Sequence, residues 1–165
     1  MPALAAGTRA PEFSAKTLDG KNFELNEALL RGPVVLAFFK VSCPTCQYTF
    51  PFLQRLFDAY KNRGITLIGV SQNEASDTET FVNQFGVKFP IALDDTKRFP
   101  VSNAYGLTSV PTLFWISSER EIELASVGWT RKDFEEINRR MAEIGKQPAL
   151  PPFQPGEEVR DFRAG

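Results

Sequence analysis

The order of residues predicts an α/β fold, with a mixed central sheet flanked by helices on both faces. Three observations carry that prediction. The runs PVVLAFF (33–39), ITLIGVS (65–71) and VPTLFWIS (110–117) are short, apolar and rich in β-branched or aromatic residues, as strands buried on both faces require. Stretches of helical period lie between them, and strands alternating with helices pair in parallel. The segment EIELASVG (121–128) follows the third run so closely that the two read as an antiparallel hairpin, which makes the sheet mixed.

Each element follows from local signals. Turn residues LDG (18–20) between short alternating runs predict an N-terminal hairpin, and Asn26 is expected to cap a short helix ending at Gly32. The run 33–39 is expected to be a central parallel strand. Pro44 suits the first turn of the next helix, whose apolar face is Phe50, Leu53, Phe57 and Tyr60, with Gly64 as its stop. After the strand 65–71, Ser76 with Glu79 reads as a capping pair, Phe81, Val82 and Phe85 as the apolar face, and Gly86 as the end. FPIALD (89–94) is a further short strand and residues 97–105 a short helix. Thr130 with Asp133 opens the last helix, with Phe134, Ile137, Met141 and Ile144 facing inward. Residues 145–165 are rich in proline and charge and have no period. They are expected to form an irregular tail after a domain that occupies 1–144.

A chain of 165 residues that is 42% hydrophobic is long enough for one domain with a full core. Its formal net charge of −1 supplies no electrostatic reason to bind nucleic acid. No apolar run reaches the roughly 18 residues of a membrane span, so no membrane partner is expected. Residues 1–13 lack the charged start and apolar core of a secretory signal, which predicts a cytoplasmic address. For a chain whose leader has been removed, the address would be periplasmic or otherwise extracytoplasmic. The sequence holds no histidine, which excludes a Cys-His nucleophile pair and the commonest transition-metal ligand.

Both cysteines, Cys43 and Cys46, lie in the stretch FFKVSCPTCQYTFP. Cys43 falls between a buried strand and a helix, so the free N–H groups and positive dipole end of that helix favour a thiolate there. Cys46 comes one turn later, near enough to close a small disulfide ring and more shielded. The spacing therefore supplies an attacking sulfur and a resolving one. Two structural thiols are the plain alternative. A metal clip is another, though two cysteines without histidine leave a four-ligand zinc site incomplete. Lys40, three residues upstream, either adds positive charge to the site or is ordinary surface. The redox reading requires no organic cofactor and no metal.

Three further positions give the pair a context. Pro51 falls inside the helix, where it removes a hydrogen bond; Pro111 heads a strand in SVPTLFWI; Gly128 ends the hairpin before the terminal helix. Together with the cysteines they resemble the thioredoxin fold, from about residue 11 to residue 144. That resemblance implies a kinking proline at 51, a cis-proline loop at Pro111 facing the disulfide, and a glycine at the hairpin's end. The distance from CPTC to Pro111 exceeds that of a minimal thioredoxin and leaves room for an extra strand-helix unit across 74–95. With the N-terminal hairpin, this is similar to the TlpA-type thiol-disulfide oxidoreductases and the related alkyl hydroperoxide reductase and thiol-specific antioxidant group.

The resemblance implies that Cys43 attacks a protein or small-molecule disulfide and that Cys46 resolves the mixed disulfide. It further implies that Val110 and Pro111, with Pro44 and Thr45, hold the substrate backbone, and that a separate electron donor resets the pair. Two departures accompany it: Ala37 stands where thioredoxin has a buried aspartate, and Ser42 where it has tryptophan. Glu74 aligns with a glutamate found near the disulfide of several TlpA-type proteins, so it is read either as a partly buried carboxylate that handles protons during exchange or as an exposed loop glutamate. A peroxidase is the runner-up, because SCPT is similar to a peroxidatic region. Against it, Lys40 and Leu36 occupy positions where peroxiredoxins carry threonine and proline. A binding module with a vestigial dithiol is the third reading. A cytoplasmic address would make the chain a reductase, although Pro44 and Thr45 between the sulfurs do not by themselves set a potential.

Overall fold

The computed structural model describes residues 2–165. Nine strands and five helices are present among them, in the order β1 (Ser14–Lys16), β2 (Asn22–Glu24), α1 (Leu25–Leu29), β3 (Val34–Phe39), α2 (Pro44–Tyr60), β4 (Thr66–Ser71), α3 (Ala75–Phe85) and β5 (Ile91–Leu93). They continue with α4 (Pro100–Ala104), β6 (Thr112–Ile116), β7 (Ile122–Val127), β8 (Trp129–Thr130), α5 (Arg131–Gly145) and β9 (Phe162–Arg163). The central sheet has five strands in the order β5-β4-β3-β6-β7. β3 pairs in parallel with β4 and antiparallel with β6, and β7 pairs antiparallel with β6, so the sheet is mixed. The extra unit expected across 74–95 is α3 with β5, which extends the parallel edge through β4. β1 and β2 form the separate N-terminal hairpin.

β3 is the centre of the core. All six of its residues are buried, as a strand covered on both faces must be. Alternate side chains meet different layers. Phe39 packs against Phe50 of α2 and Phe81 of α3, while Phe38 packs against Tyr105 and Phe114. Tyr105 is held by its hydroxyl, which donates to the Pro11 carbonyl at 2.7 Å, and by an edge contact with Phe13. The N-terminal segment thus closes the face opposite α2 and α3.

Four local expectations are corrected. Asn26 does not cap α1; Glu24 stands at the cap, and the Asn26 N–H donates to the Glu12 carboxylate at 3.1 Å. The capping oxygen comes from fourteen residues upstream, a source that local spacing cannot show. Ser76 lies inside α3, since the cap position is Glu74. Ile144, expected to face inward, is 40% exposed in the last turn of α5. Residues 145–165 do contain a regular element, because β9 pairs with β8 in the register Trp129↔Arg163 and Thr130↔Phe162.

The tail is fastened along the α2 and α5 side. Arg55 of α2 makes two hydrogen bonds to the Glu157 carboxylate, at 2.8 and 2.6 Å, and a third to the Pro152 carbonyl. The Tyr60 hydroxyl accepts the Leu150 N–H and donates to Asn138, which in turn donates to the Leu150 carbonyl. Phe153 joins the aromatic cluster of Phe52 and Phe134. Arg131, the first residue of α5, donates its N–H to the Asp161 carbonyl, so the tail satisfies one of the free donors at that helix start.

Candidate active site at the strand-to-helix junction

β3 ends at Phe39, and a tight turn through Lys40, Val41 and Ser42 leads into α2. The turn is held from two sides: the Val41 N–H donates to Asn73 at 2.9 Å, and Gln47 donates to the Val41 carbonyl at 2.9 Å. Cys43 is thereby fixed at the cap position of α2 with Pro44 as the first helical residue, where a missing N–H costs nothing. Its Sγ accepts the Cys46 N–H at 3.1 Å. A sulfur in place of the usual capping oxygen receives a helix N–H, an arrangement that stabilises negative charge on it.

Cys43 is half-buried and Cys46 is fully buried, and both are free thiols. Burial first, and then the hydrogen bond with the Cys43 side chain, pushes the Cys46 thiol far above its ordinary range. Of the two, Cys43 is therefore the reachable sulfur, and Cys46 remains a thiol behind it.

The Val110–Pro111 peptide bond is cis. The Cys43 thiol donates to the Val110 carbonyl at 3.4 Å, so the loop ahead of β6 lies directly on the reactive sulfur. Gly128, at the end of β7, donates its N–H to the Pro111 carbonyl at 2.8 Å and ties the hairpin end to the same loop. Thr45 is buried, and its hydroxyl donates to the Ala164 carbonyl at 2.6 Å. Pro44 is exposed beside it. Cys43, Cys46, Pro44, Thr45, Val110 and Pro111 thus come together from two separate parts of the chain.

Glu74 takes the second of its two expected settings. It is exposed rather than partly buried, and its carboxylate receives the Thr96 hydroxyl. Lys40 is exposed and, with Gln72, Phe99, Leu107 and Val110, lines a recess of about 250 Å³ next to the loop. Ala37 and Leu36 are buried in β3, so that strand presents neither an acid nor a hydroxyl at those positions. Pro51 lies within α2, and the helix continues past it to Tyr60.

Residues that the sequence reading missed are Asn73 and Gln47, which position the turn, and the tail residues Ala164 and Gly165. For Gln47, the signal was its place one turn into the helix, one residue after Cys46. Nothing in the tail's composition signalled its route. No group of three or more acidic or cysteine side chains suited to a metal occurs among the described residues. No described helix is long and apolar enough to cross a membrane.

Residues 6–125 match the AhpC/TSA family. Over 134 residues the chain is 35% identical to the thiol-disulfide oxidoreductase ResA of Halalkalibacterium halodurans, covering 80% of this chain and 74% of that protein. A candidate thiol:disulfide interchange protein DsbE from Chlorobium tepidum superposes with a TM-score of 0.75 at 25% identity, over 87% of this chain and 99% of that one. The peroxidoxin BcpB of Mycobacterium tuberculosis also superposes, with a TM-score of 0.69 over 87% of this chain and 97% of that one, at 16% identity. At that identity the likeness concerns the fold alone, so the chemistry must be read from the site.

Proposed function

The chain belongs to the AhpC/TSA family, and from that premise and the geometry of its two sulfurs we propose that it is a thiol-disulfide oxidoreductase working through the Cys43–Cys46 pair. One observation carries the proposal: a half-exposed Cys43 Sγ accepts a helix N–H, while its neighbour one turn on is fully buried. The Cys43 thiolate attacks one sulfur of a substrate disulfide, and the other leaves as a thiolate that takes a proton from water. Cys46 then attacks Cys43 in the mixed disulfide, and its proton goes to the second departing sulfur. Two electrons and two protons have passed to the substrate, and the enzyme holds a Cys43–Cys46 disulfide. A dithiol donor restores it.

Protein disulfides are the proposed substrates. Val110, Pro111, Pro44 and Thr45 would carry the substrate backbone past Cys43, a reading supported by the Val110 carbonyl meeting Cys43 and by Thr45 already holding a backbone carbonyl. Glu74 is left out of proton transfer, since its carboxylate is exposed and engaged by Thr96. A cytoplasmic address would run the pair as a reductase, and an extracytoplasmic one would let the local redox poise choose the direction.

The Cys46→Ser variant tests the proposal. It should attack disulfides and then stall, because no neighbouring sulfur can release Cys43 from its partner. Non-reducing gels of the variant purified from its host should show covalent complexes that a reductant dissolves. Absence of such complexes, together with rapid turnover of hydrogen peroxide by the unmodified protein, would make the chain a peroxidase that cycles through a sulfenic acid instead.

A further inference from the structure

The residues on either side of Cys43, Thr45 in its helix and Val110 in the facing loop, already carry a segment of the chain itself. β9 runs beside β8, and the residues after it continue toward the cis-proline loop. Thr45, between the two cysteines, donates to the Ala164 carbonyl at 2.6 Å. Gly128 faces the same segment so closely that a methyl group on it would lie 2.7 Å from the Arg163 carbonyl oxygen and 3.6 Å from the Ala164 Cα. At Gly165 a methyl group would lie 1.8 Å from the Val110 carbonyl oxygen, so only glycine fits against the atom that the Cys43 thiol contacts. The Arg163 guanidinium lies over the Tyr48 ring at 5.4 Å, and Phe162 is 61% exposed, pointing away from the core.

A disulfide sulfur attacked by Cys43 must approach within contact of its Sγ, which is 3.4 Å from the Val110 carbonyl. The residues flanking that sulfur in a protein substrate would therefore run across Val110 and Thr45, where residues 163–165 now lie. We propose that residues 162–165 are a tethered occupant of the substrate's strand position, held between Thr45, Gly128 and Val110, which a protein disulfide must displace to reach Cys43. This inference rests on the oxidoreductase reading for its substrate but not for its geometry. Two strand pairings, one hydroxyl bond, two close glycine contacts and the Arg163–Tyr48 stacking hold the segment, a set of weak contacts that opens without unfolding the domain. Cys43 itself stays half-exposed beneath it, so small disulfides and small reagents reach the sulfur while extended chains are held off. Apparent affinity for an extended substrate falls by the fraction of molecules in which the segment is lifted.

Two variants test this. A chain ending after residue 161 keeps the Arg160 and Asp161 contacts to Trp129 and Arg131. Gly165→Val leaves the chain whole but places a side chain where the Val110 carbonyl lies. In both, kcat/KM for reduction of an unfolded protein disulfide should rise about tenfold, the size expected when two or three weak contacts are lost. The rate with hydroxyethyl disulfide should change less than about twofold. A synthetic peptide of residues 160–165 should inhibit the shortened chain competitively toward the protein disulfide. Equal rates in all three proteins, or parallel losses with both substrates, would overturn the inference and leave the segment a structural trim. If no form of the protein reduces any disulfide, the oxidoreductase reading fails on its own. The occupant is then judged by labelling Cys43: both variants should react faster with a polymer-linked maleimide and unchanged with N-ethylmaleimide, and equal rates with both reagents would refute it.

Discussion

The strand-to-helix junction, residues 34–60, and the tail, residues 145–165, reach the same sulfur by opposite physical means. The junction is held by burial: every residue of β3 is inside, and α2 buries Phe50, Phe52, Leu53, Leu56 and Tyr60 along one side. Its conformation follows from a repeating pattern in which each residue repeats the demand of its neighbours. The tail has no fully buried residue; Leu150, Phe153 and Val159 rest half-buried against the core, and polar contacts place the rest: Glu157 to Arg55, Leu150 to Tyr60, Arg160 to Trp129 and to Tyr48. Periodic burial fixes a region as a block, whereas tethers of this kind place a segment point by point. A region of the second kind can open while the first stays closed, as an occupant of the substrate groove requires.

The sharpest break in that contrast is Tyr60→Phe. Removing the hydroxyl leaves the half-buried Leu150 N–H and the buried Asn138 side-chain oxygen without their partner, at a cost of about 1–3 kcal/mol. The denaturation midpoint should fall accordingly, and amide exchange at 147–153 should quicken while α2 and β3 keep their protection. Equal loss of protection in both regions would show that tail and junction form one cooperative block.

A smaller effect comes from acid. The Arg55 guanidinium, hydrogen-bonded to Glu157, lowers that carboxyl to about 2 from an ordinary 4.5. A depressed carboxyl stabilises the folded tail fully above about pH 4.5 and loses its contribution as the pH falls through about 2. Solvent reaches both partners, so the contribution is modest. Pepsin should release tail peptides progressively faster from pH 4.5 down to 2, relative to cleavage elsewhere. In Arg55→Met that dependence should flatten; a pH profile identical to that of the unmodified protein would remove Glu157 from the tail's anchoring.

The least effect is expected at Glu74. An essential proton-handling group contributes roughly a hundredfold or more, and we read Glu74, exposed and engaged by Thr96, as standing outside that role. Glu74→Gln should leave the exchange rate within about twofold between pH 5 and 9. A tenfold loss would return the carboxylate to the mechanism.

The residues that were legible and those that were not differ in how far their partners lie along the chain. The strands, α2, α3 with β5, and the offset between Cys43 and Cys46 all follow from spacings of a few residues, so they could be read directly. At helix starts the acceptor can come from elsewhere: Glu12, not Asn26, serves α1, and at α5, which opens after Thr130 as expected, the Asp161 carbonyl takes a free N–H. Glu74 was placed by alignment to a family position, but the Thr96 hydroxyl and the open surface of α3 decide its surroundings.

By itself, then, the residue order determined that a thiol stands at the mouth of a helix behind a buried strand, with a second thiol one turn deeper. Apolar period and proline placement leave that segment no other arrangement. Only the tertiary structure decided what faces the sulfur. The Val110 carbonyl that meets Cys43 is 67 residues away, and the Ala164 carbonyl that meets Thr45 is 119 away. Hydrogen bonds at such separations follow from how the sheet and helices pack, and no local pattern records them, so the tail's place over the site became visible only when the whole chain was folded.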